Sequence, residues 1–203
     1  MQNTEQNDIS YKAAFDKGAA LIKGSIQLDG QQLRALGFFE RRRLNKALKH
    51  FEEASSIAPT NGAPMLFIAK VKQRFGDYDG SLEWLKKANA VEPGNLILAI
   101  ETGATLVRLG KHKEAAAVLE VAAHHHPLEP RIQCNLGLSY LMAGDTEDAL
   151  KAFQFLVQLE PDFPTNQKLL GLASEIRLGK KATPKNEAEI ARILSCAAAP
   201  MNP

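Results

Sequence analysis

Cysteine is scarce in these 203 residues: Cys134 and Cys196 lie far apart, outside any CxxC or Cys/His ligand spacing. That argues against a disulfide framework and a structural zinc site, and it fits a reducing compartment. Neither sign of charge is in excess. Twenty-five basic and 23 acidic residues leave a formal net charge of +2, too mild by itself to imply a nucleic-acid or membrane partner. Long apolar runs are missing too. No stretch approaches the ~18 apolar residues that span a membrane, and the polar, acidic start at residues 1–8 has neither the basic nor the apolar segment of a secretory signal. A soluble cytoplasmic chain is the expectation. Short catalytic signatures are also absent, with no phosphate-binding GxxxxGK, no GxGxxG, no GxSxG and no HExxH. No cofactor and no enzymatic activity are expected.

What the sequence has is a period. Pro59, Pro93, Pro127 and Pro161 follow one another at intervals of 34 residues. At a background of about 5% proline, three further hits by chance come to about one in ten thousand. A small-large-small series precedes the first three prolines, Ala47, Phe51, Ala54; Ser81, Leu85, Ala88; and Ala115, Leu119, Ala122; the fourth reads Ala149, Phe153, Leu156, with a large residue in the last place. Offsets of four and seven put each series on one helical face. The small residue lets two helix backbones approach, the large one fills the space beside it, and proline, which has no N–H, ends the helix. Twelve positions earlier stand Ala35, Ala69, Gly103 and Gly137, which read as the facing positions of a preceding helix. Between the two helices Gly76, Gly110 and Gly144 supply a left-handed residue for the turn, while Arg42 occupies that place in the first unit.

These residues resemble the tetratricopeptide-repeat family, in which small residues recur at three fixed places with a bulky one between the last two and a proline at the end. The resemblance covers residues 28–161 and is strongest in the fourth unit, through Leu136, Gly137, Tyr140, Gly144, Ala149, Phe153 and Pro161. It implies an all-α fold, a right-handed α-solenoid of tandem helix-turn-helix units with capping helices. The expected units are 28–61, 62–95, 96–129 and 130–163. Residues 1–8 read as a disordered start and 9–27 as a capping helix with Tyr11, Phe15, Ala19, Ile22 and Ile26 on one stripe. Residues 164–180 read as a second cap, with Leu170 and Gly171 matching the first half of a unit. Residues 181–203 read as a short helix started by Thr183 and Pro184, followed by a flexible tail.

The resemblance also implies that the first helices of successive units line a concave groove. The second unit would contribute Leu66, Lys70, Gln73 and Arg74, and the third Ile97, Ile100, Ala104, Val107 and Arg108. The fourth would contribute Arg131, Cys134, Leu138 and Leu141. Such a surface, apolar with basic posts, suits a protein or peptide partner that buries aliphatic side chains and presents carboxylates. The implied function is a non-enzymatic protein-interaction module, an adaptor, co-chaperone or assembly factor, similar to the secretion chaperones that shelter apolar partner segments. The other reading is a self-associating structural subunit, so that monomer and homodimer both stay open. The family's clamp for chaperone carboxyl termini is not expected, because Gln32 and Leu36 stand where it needs other residues and Asn135 has the wrong company.

His124, His125 and His126 point about 100° apart around a helix, which does not suit one metal ion. They read as favourable charge and spare donors at a helix C-terminus. Arg41, Arg42 and Arg43, with Lys46 and Lys49, read most simply as a solvated turn and helix face, and a second docking patch is the lesser reading. Trp84 reads as half-exposed packing, and Cys134 as a small apolar lining residue without a histidine partner. RNA binding is disfavoured, since helical RNA-binding repeats place polar base readers where this sequence places aliphatic ones.

Overall fold

The four repeated prolines each follow a helix end that is closed in the same way. The C-cap residues Ala58, Glu92, His126 and Glu160 donate their backbone N–H to Ala54, Ala88, Ala122 and Leu156, and the proline comes next. The structure is a computed structural model and describes residues 2–26 and 35–196. Among these there are ten helices and no strand: α1 (Gln2–Ile22), α2 (Phe38–Ile57), α3 (Gly62–Phe75), α4 (Tyr78–Val91), α5 (Leu96–Arg108), α6 (His112–His125), α7 (Pro130–Ala143), α8 (Thr146–Leu159), α9 (Pro164–Arg177) and α10 (Glu187–Cys196). The helices follow one another as tandem pairs, and the chain divides into two compact units, Met1–Leu98 and Ala99–Pro203. Among the described residues no helix is long and apolar enough to cross a membrane.

In the first unit α1 packs on α2, α2 on α3 and α3 on α4. Its centre is aromatic. Phe51 stacks on Phe67 at 5.2 Å between ring centroids, and Phe15 meets both edge-on. Tyr11 stacks on Phe15, and its hydroxyl accepts a hydrogen bond from Asn61 Nδ2 at 3.0 Å. Ile22, Ile26, Leu44, Ala47, Ile68 and Val71 complete that cluster, and Met65, Ala69, Leu85, Ala88 and Leu98 form the next. Gly76 closes α3 in the left-handed region at φ 80°. Asp77 then caps α4 by accepting from the Gly80 N–H at 2.9 Å.

The first pair differs from the sequence expectation. α1 packs against α2, so the part of the expected cap that is helical, residues 9–22, is the first member of a pair, and residue 27 lies outside the described residues. Gly18 is the small residue that receives Phe51. It precedes Phe51 by 33 positions, whereas Ala69, Gly103 and Gly137 precede Leu85, Leu119 and Phe153 by 16. A longer connection thus separates the first two helices. Ala35, at the expected offset, lies exposed in non-helical backbone. Arg42 lies inside α2, because no glycine or proline interrupts residues 38–57 and the helix continues through the place where the other units turn. α1 begins at Gln2, so residues 2–8 are helical and not an irregular start; they contain no proline or glycine to break a helix. Gln32, the expected boundary at residue 28 and the tail at 197–203 lie outside the described residues.

In the second unit α6 packs on α7, α7 on α8, α8 on α9, and α10 touches α9. Leu141, Leu150, Phe153, Leu156, Leu169 and Leu172 centre the core, joined by Ile190 of α10. In α9 the buried residues are Asn166, Leu169, Leu172 and Ala173, while Gly171 is exposed. α10 starts at Glu187, not at Thr183–Pro184, because Asn186 makes the cap: it accepts from the Glu189 N–H at 2.9 Å while the Glu189 carboxylate accepts from the Lys185 N–H at 2.9 Å.

Candidate peptide-binding face

A glutamate before two of the repeated prolines ties one helix pair together. Glu92 Oε1 accepts from the Gly62 N–H at 2.6 Å, and Glu92 Oε2 accepts from Asn95 Nδ2 at 2.8 Å. Asn95 Oδ1 in turn accepts from the Ile97 N–H at 3.0 Å, and Asn61 Oδ1 caps α3 through the Ala63 N–H at 2.9 Å. In the second unit Glu160 Oε2 accepts from Asn166 Nδ2 at 3.1 Å. Capped N-termini fix the pitch and rotation of the first helices, and so decide which of their side chains face out.

Along α5 the sequence places Ile97, Ile100, Ala104, Val107 and Arg108. Ile97 is exposed, Ile100, Ala104 and Val107 are half-buried, and Arg108 is exposed at the helix end. On α7, Cys134 and Leu138 are half-buried. Val107, Cys134 and Leu138 rest on the core cluster of Leu141, Met142 and Phe153. These residues are therefore held by packing from beneath and keep part of their surface outward. Arg131 is exposed, with Nε 2.7 Å from Glu129 Oε1. In the second unit Val107 of α5 and Cys134 and Leu138 of α7 thus share one supporting cluster, while Arg108 and Arg131 are exposed.

Other residues expected on this surface are elsewhere. Leu141 is 0% exposed and belongs to the core, covered by neighbouring helices of its own unit. Lys70 is 7% exposed, so its ammonium is not a post standing in solvent. Arg74 is engaged within the first unit: Nε donates to the Ser25 carbonyl at 2.9 Å and NH2 lies 3.6 Å from Glu40 Oε1. Leu66 is half-buried against Met65, Leu85 and Leu98, and Gln73 is half-buried. The physical reason is that repeat position fixes the direction of a side chain but not what another helix lays over it.

Chemistry on the face is quiet. Burial, with Glu160 as a smaller cause, pushes the Cys134 thiol up from 9.0 to about 11, so it stays protonated near neutrality. The Tyr140 hydroxyl donates to Glu120 Oε1 at 2.7 Å, and burial followed by that bond raises its pKa, which suits a tie between α7 and α6. His124 and His125 stand exposed and edge to face, 6.0 Å between centroids, while His126 serves as the C-cap of α6. Among the described residues no three His, Cys, Asp or Glu side chains gather as a metal site. Trp84 is half-buried with Lys87 Nζ 4.3 Å from its ring centroid. Leu36, one of the two residues that count against the chaperone clamp, packs on the first unit's core. Sequence reasoning missed an open cavity of about 300 Å³ between the α5–α6 turn and the end of α7, lined by Lys111, His112, Glu114 and Met142. His112 Nδ1 is buried there without a hydrogen-bond partner among the described residues. Nothing in the local Lys-His-Lys sequence signals that burial.

A family model described as tetratricopeptide repeat matches residues 100–164. No curated protein matches the sequence. Among solved structures the chain is similar to MamA, residues 41 to the end, from Desulfovibrio magneticus RS-1, at 18% identity and a TM-score of 0.69, covering 94% of this chain and 98% of that one. It is similar to YrrB, titled a TPR protein with an unusual peptide-binding site, at 17% identity and a TM-score of 0.60, covering 76% and 78%. It also resembles the first TPR of Spaghetti (RPAP3) bound to an HSP90 peptide, at 18% identity and a TM-score of 0.55, covering 58% of this chain and 94% of that one.

Proposed function

We propose that this chain, which matches the tetratricopeptide-repeat model over residues 100–164 and is similar in fold to MamA, is a non-enzymatic protein-interaction module, an adaptor or assembly factor that holds a partner's peptide or helix against α5 and α7. The observation that carries this reading is the half-buried surface that Val107, Cys134 and Leu138 keep above a shared core cluster, with Ile100 and Ala104 half-buried along α5 as well. Supported from below and open above, it offers an amphipathic segment apolar area without requiring the core to rearrange. Arg108 and Arg131 at its margin favour a partner with carboxylates flanking its apolar residues. YrrB has a peptide-binding site and the RPAP3 domain is bound to an HSP90 peptide, which makes a peptide ligand a reasonable class for this fold. A cytoplasmic location agrees with the sparse cysteines. Lys70, Arg74 and Leu141 are not part of the proposed surface.

Affinity capture from the native host with wild type and with an Ala104→Glu/Leu138→Glu double variant tests the proposal. Both positions are half-exposed, so the charges need not enter the core. A partner enriched by wild type and lost by the double variant, with helix content unchanged, supports the reading. Retention of every partner by the double variant counts against it. Sedimentation of the free protein addresses the self-associating alternative, which requires a dimer that the double variant breaks.

A further inference from the structure

α4, α6 and α8 begin 15 residues before Pro93, Pro127 and Pro161, but α2 begins 21 residues before Pro59. The difference is an amino-terminal overhang, Phe38 to Arg43, that the repeat does not require. It is fastened on one side. Arg74 NH2 lies 3.6 Å from Glu40 Oε1, the Arg41 guanidinium sits 5.3 Å from the Phe75 ring centroid, and Arg43 donates to the Ser25 hydroxyl. Phe38 and Phe39, just ahead of these anchors, face the other way. Phe38 is 75% exposed and Phe39 83% exposed, their rings edge to face at 5.6 Å. At 100° per residue, Phe38, Phe39, Arg42, Lys46 and Lys49 fall on one side of the helix, opposite the buried Leu44, Ala47 and Phe51.

From this geometry we infer that the outer face of α2 docks on an anionic lipid surface, with the two phenylalanines entering the headgroup layer and Arg42, Lys46 and Lys49 meeting lipid phosphates. Among the described residues these two neighbours are the most exposed large hydrophobic side chains, and their rings protrude. A peptide needs walls to close around its side chains, whereas an interface needs apolar groups that project. The charges agree. Arg42, Lys46 and Lys49 are all exposed along this side of α2, and the acidic residue further along it, Glu53, lies 3.6 Å from His50. A row of exposed cations beside two projecting aromatic rings complements an anionic surface. The chain's net charge of +2 conceals this local concentration, which is why overall charge gives no sign of it.

The full chain is tested by flotation with vesicles of phosphatidylcholine alone and of phosphatidylcholine with one third phosphatidylglycerol. Binding is expected to the anionic vesicles and at least ~10-fold weaker to the neutral ones, falling as salt rises. Phe38→Ser/Phe39→Ser should weaken anionic binding by ~10-fold or more, and Arg42→Glu/Lys46→Glu/Lys49→Glu should abolish it. Lys113→Glu/Lys151→Glu, on α6 and α8, should leave it unchanged. Far-UV circular dichroism checks that each variant keeps its helix content. No binding to anionic vesicles overturns the inference. So does binding that the phenylalanine variant leaves intact, which would mark a mere polyanion attraction. So, too, does displacement of the vesicles by an acidic peptide whose own binding depends on Phe38 and Phe39, which would assign the face to a protein partner.

Discussion

Gly18 of α1 lies so close to the ring of Phe51 on α2 that a Cβ at position 18 would stand 2.8 Å from Phe51 Cε1. The same relationship holds at Gly103 with Leu119, where the distance is 2.8 Å, and at Gly137 with Phe153, where it is 2.5 Å. A glycine facing a bulky residue is how two helices of a pair approach, and Gly18 is the member that the 34-residue spacing hides.

Adding a methyl group at Gly18 should therefore destabilise the protein. The Phe51 ring cannot easily give way, because Phe15 and Phe67 press on it at 5.6 and 5.2 Å between centroids. Overpacking of ~1–3 kcal/mol should outweigh the ~1 kcal/mol that alanine gains over glycine in a helix. Gly171→Ala, in α9 with nothing within 4 Å of the new Cβ, should show only the gain. Urea midpoints should move in opposite directions for the two variants.

Glu92 is expected to matter more than a surface carboxylate. Replacing it with alanine leaves the Gly62 N–H and Asn95 Nδ2 without their acceptor and should lower stability by ~1–2 kcal/mol. Glu92→Gln, which keeps an oxygen in place, should lose less. Thermal melts of the two variants against wild type decide the matter.

Acid should remove a defined share of stability through Asp77. Its carboxylate accepts from Lys72 Nζ at 2.7 Å and from the Gly80 N–H at 2.9 Å, which hold its pKa below the ordinary 3.8. A lowered folded-state pKa gives stability that is complete above 3.8 and lost as the pH falls through the lower folded value. Because the group is largely exposed, that share should be under ~1 kcal/mol. Asp77→Asn should lose less stability than wild type on going from neutral pH to pH values below 3.8.

Cys134 should be a slow thiol. With its pKa near 11 in place of 9.0, the thiolate fraction near neutrality drops about 100-fold, and burial limits access further. Iodoacetamide should alkylate native Cys134 at least ~100-fold more slowly than the same residue in urea, as followed by peptide mass spectrometry.

The sequence revealed those parts of the fold where the period runs unbroken. From α3 to α8 a single spacing links small residue, turn glycine, bulky residue and proline, so counting assigns each role. The first pair escapes because its connection is longer, and Ala35 happens to stand at the offset that Gly18 would otherwise fill. The clue lay in the stripe of Tyr11, Phe15 and Ile22, which belongs to a helix wanting a partner. On the candidate face, counting placed Ile100, Ala104 and Leu138 on α5 and α7 but could not reveal what covers a side chain. Leu141 is enclosed by its own unit, and Arg74 is taken by Glu40 on an overhang outside the repeat's pattern.

Site-specific photo-crosslinking reads out which face of the second unit a partner occupies. A photoreactive phenylalanine analogue is placed at position 104 or 138 on the α5–α7 face, or at the exposed positions 117 and 154 on α6 and α8, and each protein is irradiated in the native host. The account predicts one partner protein crosslinked from 104 and 138 and absent from 117 and 154. Crosslinks to that partner from 117 and 154, with none from 104 and 138, would contradict it.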